Sequence, residues 1–161
     1  MRILGIDPGL ASTGAVVLEA GEELSVMHES VIRTKAHDKI HERLGFIGDS
    51  LEGIIDIYKP EVLALESAFI RRDAPQTGLS LGKVLGVVIL TAYRKRLELL
   101  EVTPREVKET LTGYGNASKL QIERAVAVKL GLDKPLNPSH VADAAAVALT
   151  AVSFLGTLGK R

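Results

Sequence analysis

Two short apolar segments of this chain each run into a carboxylate. Arg2-Ile3-Leu4-Gly5-Ile6 leads into Asp7, and Val62-Leu63-Ala64-Leu65 leads into Glu66. Near the C-terminus His140 and Asp143 stand three residues apart, a spacing that puts both on one face of a helix. Carboxylates at the ends of buried strands are costly to desolvate unless something compensates them. A hard divalent cation does so, because its ligands are carboxylate and water oxygens. Four such groups converging on one pocket would hold one or two Mg²⁺ or Mn²⁺ ions. Two ions close together activate an attacking water and stabilise the leaving oxygen of a phosphodiester. The leading reading is metal-dependent hydrolysis of a phosphate ester. Plainer roles compete with it. Asp7 before Pro8-Gly9 suits a turn, His140 suits a cap, and Asp143, set among alanines, suits half of a buried ion pair. Glu66 has no such alternative, because glutamate is a poor turn residue.

The elements that must position these groups follow from hydrophobic period. Residues 2–7, 14–20 and 24–32 read as strands with short polar gaps between them, which favours an antiparallel meander. Ile40, Leu44, Ile47, Leu51, Ile54 and Tyr58 recur every three or four positions, so 38–58 reads as a helix, stopped by Lys59-Pro60. A strand at 62–66 follows. Strand, helix, strand implies a right-handed crossover and a parallel pairing. The polar segment 68–77 reads as a loop, 78–96 as a second helix and 98–102 as a strand. Ser118 with Gln121 forms a capping box that opens a third helix, ending at Gly131. Asn137-Pro138 reads as the N-cap and first turn of the last helix. The pattern is an α/β domain with a five-stranded mixed sheet, three antiparallel strands joined to parallel ones. In open α/β sheets, ligands bind beyond the carboxyl ends of the strands, where Asp7 and Glu66 stand.

Composition sets bounds. The chain has 161 residues, 46% hydrophobic and 25% charged, enough for one domain with a real core. Lys plus Arg equals Asp plus Glu at 20 each, so a nucleic-acid partner needs a local basic face. The absence of cysteine excludes disulfides and thiolate metal sites. The N-terminus carries no signal-peptide pattern. The longest apolar runs, Val84–Tyr93 and Ala144–Leu155, fall short of the ~20 residues of a spanning helix. A soluble cytoplasmic protein without a membrane partner is expected.

Motif order then points to a family. Ile6-Asp7-Pro8-Gly9-Leu10 with Thr13-Gly14 resembles the opening of the RuvC family of Holliday-junction resolvases. The likeness continues through Leu65-Glu66-Ser67-Ala68-Phe69, Pro104-Arg105-Glu106-Val107-Lys108 and Gly115-Asn116-Ala117-Ser118-Lys119. It closes on His140-Val141-Ala142-Asp143. The resemblance implies an RNase H-like fold over residues 1–161, a homodimer, and symmetric nicking of four-way DNA junctions in recombination and repair. It also implies Mg²⁺ or Mn²⁺ held by Asp7, Glu66, His140 and Asp143, and association with a branch-migration motor. Many relatives carry Asp where this chain has His140, and a subset carries His. Imidazole accepts Mn²⁺ more readily than Mg²⁺, so the departure bears on metal preference.

The resemblance also marks DNA contacts. Phe69 falls at the family's junction-probing aromatic, beside Arg71 and Arg72, a combination that suits base stacking and phosphate contact. Lys108 and Lys119 match basic positions facing the scissile region, where they would stabilise developing phosphate charge. Arg94-Lys95-Arg96 reads as a solvated helix end. Gly113-Tyr114-Gly115-Asn116 reads as a loop without the lysine-serine ending of a phosphate-binding P-loop. Gly78, Gly82 and Gly86 weaken the second helix, which implies close approach to a neighbour: its own sheet, or the same helix of a second subunit. Three rivals remain at this level: an actin-like ATPase, for which the chain is short of a second lobe; a binder of branched DNA that does not cut; and a nuclease for structured RNA.

Overall fold

The computed structural model describes residues 1–67 and 75–158. Its centre is a five-stranded sheet in the order β3-β2-β1-β4-β5, formed by β1 (Arg2–Asp7), β2 (Ser12–Ala20), β3 (Leu24–Arg33), β4 (Val62–Glu66) and β5 (Glu98–Val102). Strands β1, β2 and β3 pair antiparallel. Strand β4 joins β1 in parallel, with Ile6 opposite Leu65, and β5 joins β4 in parallel. The meander and the parallel pairings both match the sequence reading. The β1–β2 connection is closed by Thr13, whose buried hydroxyl donates to the Gly9 carbonyl at 2.7 Å.

Side chains alternate across the sheet, and the two faces bury different partners. Leu4, Ile6, Leu63 and Leu65 pack against α1 (Ile40–Tyr58) and α2 (Pro75–Arg94), with Ile47, Leu51, Val84 and Val88. Ile3, Val16, Val62 and Ala64 face α3 (Pro104–Thr112), α4 (Lys119–Lys129) and α5 (Ser139–Leu158). The left-handed Lys59 ends α1, its N–H bonded to the Ile55 carbonyl. Thus Lys59-Pro60 stops the helix as expected.

Beside shifts of one or two residues at other element ends, three differences from the sequence reading stand out. Helix α2 begins at Pro75 instead of 78, because proline is well tolerated in a helix's first turn. Helix α5 begins at Ser139, one residue past Pro138, after a cis Asn137–Pro138 peptide. Helix α3 is the element the period reading missed. It is nine residues long, too short for a repeating pattern, yet Thr103, Pro104 and Glu106 form a capping box with proline in the first turn.

Helix α5 lies close to the sheet. Its face is alanine-rich, and the strands beneath carry glycines. A Cβ on Gly5 would run into the Ala144 carbonyl and Ala148, and one on Gly14 into the His140 carbonyl. Residues 140, 144 and 148 form one row along the helix, so the two glycines seat that row directly on β1 and β2. Ser139–Gly156 is long and apolar enough to cross a membrane by composition, longer than the run read from sequence. It serves as a core helix, with Val141, Ala142, Ala144–Leu149 and Ala151 buried.

Candidate active site

Period two sends Ile3, Gly5 and Asp7 to one side of β1, and Val62, Ala64 and Glu66 to the same side of β4. That side is the one covered by α5. Because the strands are parallel and adjacent, their carboxyl ends bring Asp7 and Glu66 together. Gly14 pairs with Asp7 across β2 and admits the first turn of α5, which carries His140 and Asp143. The four residues singled out in the sequence therefore lie at one end of the sheet, brought there by three separate elements.

Their contacts are specific. His140 Nδ1 lies 2.7 Å from Asp7 Oδ2. An ionised carboxylate only accepts, so Nδ1 carries the proton and donates it. Lys119, the first residue of α4, donates from Nζ to Asp143 Oδ2 at 2.8 Å. Burial pushes the Asp7 carboxyl above its usual range; the His140 hydrogen bond opposes this and the Asp143 charge adds to it. Burial also raises Glu66, reinforced by the charges of Asp7 and Asp143 and opposed by Lys108 and Lys119. The Asp143 bond in turn raises the Lys119 ammonium. Among the described residues, three carboxylates thus share one field with two ammonium groups, those of Lys108 and Lys119. Among the described residues, no three acidic or imidazole side chains stand close enough to enclose an ion as they are; the His140 and Lys119 contacts occupy one oxygen each of Asp7 and Asp143.

Lys108 on α3 and Lys119 on α4 both reach this field, the former through Glu66 and the latter through Asp143 as well. Phe69, Arg71 and Arg72 lie outside the described residues. Of the Arg94-Lys95-Arg96 run, Lys95 is engaged on the protein itself, bonded to Asp56 at 2.7 Å and near Glu52 at 3.3 Å. The glycine stripe resolves in part. A Cβ on Gly82 or Gly86 would meet nothing within 4 Å, so these glycines do not serve packing on the chain's own sheet. The Leu79, Ile89, Leu90 and Tyr93 side chains on this helix are exposed.

Residues 3–151 match the family model described as crossover junction endodeoxyribonuclease RuvC. A protein of that name from Caldicellulosiruptor saccharolyticus is 41% identical over 151 residues, 92% of this chain and 90% of the relative. The solved Thermus thermophilus RuvC in complex with a Holliday junction substrate superposes with a TM-score of 0.91 at 32% identity, covering 99% of this chain and 96% of that one. The yeast mitochondrial Holliday junction resolvase Ydc2, at 14% identity and a TM-score of 0.72 over 98% of this chain and 80% of its own, shares the fold.

Proposed function

Because the chain belongs to the RuvC family of crossover junction endodeoxyribonucleases, we propose that it cuts four-way DNA junctions at the end of the sheet where Asp7, Glu66, His140 and Asp143 meet. The protein is a nuclease of the RNase H-like fold, a Holliday junction resolvase. The observation that carries the assignment of the site is the parallel β1–β4 pair, which puts two half-buried carboxylates on the face that receives the first turn of α5.

The donor set fits a divalent cation. Two of its carboxylates are raised by burial and by neighbouring negative charge, the condition that a hard cation relieves. Mg²⁺ or Mn²⁺, one or two ions per subunit, when bound would stabilise charge on the phosphate and lower the pKa of an attacking water. Asp7, Glu66 and Asp143 would supply oxygens to it, and His140 an imidazole nitrogen. The chain's own residues do the rest. His140 fixes the Asp7 carboxylate by its hydrogen bond. Lys108 and Lys119 place ammonium groups beside the carboxylates, where the scissile phosphate must come, and offset the repulsion between acids and phosphate.

Two further parts of the reading concern partners. The exposed apolar face of α2, with Gly82 and Gly86 open to close approach, supports a homodimer; a two-fold dimer presents two sites to a two-fold junction. A branch-migration motor and a cytoplasmic location complete the proposal.

The test is cleavage of a synthetic four-way DNA junction with Mg²⁺, with Mn²⁺ and with chelator, beside Asp7→Asn. Paired symmetric nicks that require both metal and Asp7 support the reading. Tight junction binding without cutting under either metal replaces it with a binding role.

A further inference from the structure

The segment between α3 and α4 presents an aromatic ring to solvent on a tightly held backbone. Tyr114 follows Gly113, which ends α3 in the left-handed region at φ 73°. The Tyr114 N–H donates to the Thr112 hydroxyl at 3.2 Å. The Tyr114 carbonyl accepts from the Ala117 N–H at 3.0 Å and lies 3.2 Å from the same Thr112 hydroxyl. That hydroxyl also lies 2.8 Å from the Lys108 carbonyl, which ties the loop to α3. Yet the Tyr114 residue remains 58% exposed. Solubility does not call for an outward aromatic, and the hydrogen bonds fix its Cα instead of hiding its ring.

Tyr114 borders a groove. One cleft of about 350 Å³ is lined by Arg105, Glu109, Tyr114 and Asn116. An adjoining one of about 480 Å³ is lined by Thr103, Arg105, Lys108 and Asn116. Arg105 and Asn116 border both. Both volumes lie in the range of small-ligand sites. The groove has a definite direction: Lys108 at one end acts on Glu66 in the catalytic field, and Tyr114 stands at the other. The acid in the groove is already matched, since Arg105 Nε donates to Glu109 Oε1 at 2.7 Å. A Cβ on Gly115 would approach Glu109 Oε1, the end of a flexible side chain, to 2.8 Å.

Resting on the proposed function, we propose that this groove is a nucleotide subsite: Tyr114 stacks on a base of the strand that continues from the scissile phosphate, with Arg105 and Asn116 at its sugar-phosphate and base edge. An aromatic face beside a guanidinium accepts any base, since every base has a π-face and stacking is sequence-tolerant. The rigid backbone means that little ordering is required on binding. The subsite lies on the α3–α4 side of the sheet, and its residues are distant in sequence from Phe69, Arg71 and Arg72.

The experiment uses the full chain and four-way junctions carrying 2-aminopurine, one position at a time, at the nucleotides flanking each cut. Metal is withheld during binding so that affinity is read without turnover. We expect wild type to quench or shift the probe at one flanking position. Tyr114→Ala should abolish that signal and weaken junction binding by about 5- to 100-fold, while Tyr114→Phe keeps both. Circular dichroism establishes that the alanine variant, altered at an exposed ring, is folded. An alanine variant with wild-type signal and affinity overturns the subsite alone. A wild type that neither binds nor cuts the junction overturns the proposed function and the subsite with it.

Discussion

Strand β1 has a charged group at each end, and the two ends are built in opposite ways. At its start, Arg2 Nε donates to Glu19 Oε1 at 2.9 Å, its NH1 to the Tyr58 carbonyl at 3.0 Å, and its backbone N–H to Glu61 Oε1. The carboxylates there are well exposed and each meets a donor. At the other end Asp7 is mostly buried, and Glu66 and Asp143 bring further negative charge into its field. Its hydrogen-bonding neighbour His140 and the Lys119 ammonium are set on other elements. Among the described residues, charge is balanced where the strand begins and left unbalanced where it ends. A protein selected only for stability would not gather three half-buried acids in one place. The cost at the second end is the one that, in the proposed function, a cation and a phosphate would offset.

The sharpest break of that comparison is Asp7→Asn. The side chain keeps an acceptor for His140 and loses its charge. Junction cutting should fall by at least ~100-fold, while the metal-free protein melts ~2–4 °C higher, the shift made by about 1 kcal/mol in a chain of this size. The pH dependence has a definite sign. The folded Asp7 carboxyl titrates above its ordinary value of 3.8 and Glu66 above 4.5, so the folded state holds these protons more tightly than the unfolded state. Their favourable contribution is complete below those ordinary values and is lost as pH rises through the raised ones. The advantage of Asp7→Asn should therefore grow with pH through that window and then level off. Thermal melts from pH 3 to 8 check it. A variant that is less stable than wild type throughout would show that the Asp7 charge is compensated.

His140 gives the next largest effect. His140→Ala removes the donor that orients Asp7 and should reduce cutting by roughly 10- to 100-fold. His140→Asp should remain active, with its ratio of rates in Mg²⁺ and Mn²⁺ moved toward Mg²⁺, because an oxygen donor replaces nitrogen. Rates measured in each metal separate the two. An alanine variant as active as wild type would remove His140 from the site.

The seating of α5 is a packing claim and predicts a smaller change. Gly14→Val would drive a side chain into the His140 carbonyl and cost about 1–3 kcal/mol, together with a loss of cutting as the first turn of α5 shifts. Gly53 on α1 is the control: a Cβ there meets nothing within 4 Å, and Gly53→Ala should stabilise the chain by up to ~1 kcal/mol with cutting unchanged. Denaturant melts of both variants measure the difference. Equal effects at the two glycines would refute the seating.

How much was legible in the sequence follows from which signals are local. Asp7 and Glu66 were readable because each closes an apolar run, and a parallel pairing predicted from strand-helix-strand order puts such ends side by side. His140 and Asp143 were readable from their spacing. What could not be read was what brings the last helix down onto the strands. Gly5 and Gly14 look like ordinary glycines until the carbonyls of Ala144 and His140 are seen where their Cβ atoms would be. Helix α3 was missed because nine residues are too few for a period, although Thr103-Pro104-Arg105-Glu106 carried its capping signal. The pairing of Lys119 with Asp143 joins α4 to α5 across 24 positions, and no one-dimensional pattern encodes such a contact. The glycines of α2 announced close approach, but sequence left the partner open; the protomer itself does not use Gly82 or Gly86.

The smallest prediction tests the quiet end of β1. Arg2→Ala removes one ion pair between side chains that are 37% and 39% exposed and one bond to the Tyr58 carbonyl. An ion pair this open to water is worth about 0.2–1 kcal/mol, so the melting temperature should drop by no more than ~4 °C. Raising the salt concentration should shrink the difference from wild type, because exposed pairs are screened. Cutting of the junction should not change, because the Arg2 contacts reach only Glu19, Glu61 and Tyr58, at the opposite end of the strand from Asp7. If cutting fell as far as stability was preserved, the two ends of β1 would be coupled through the sheet, and the division between a balanced end and a costly one would have to be replaced by a single network running the length of the strand.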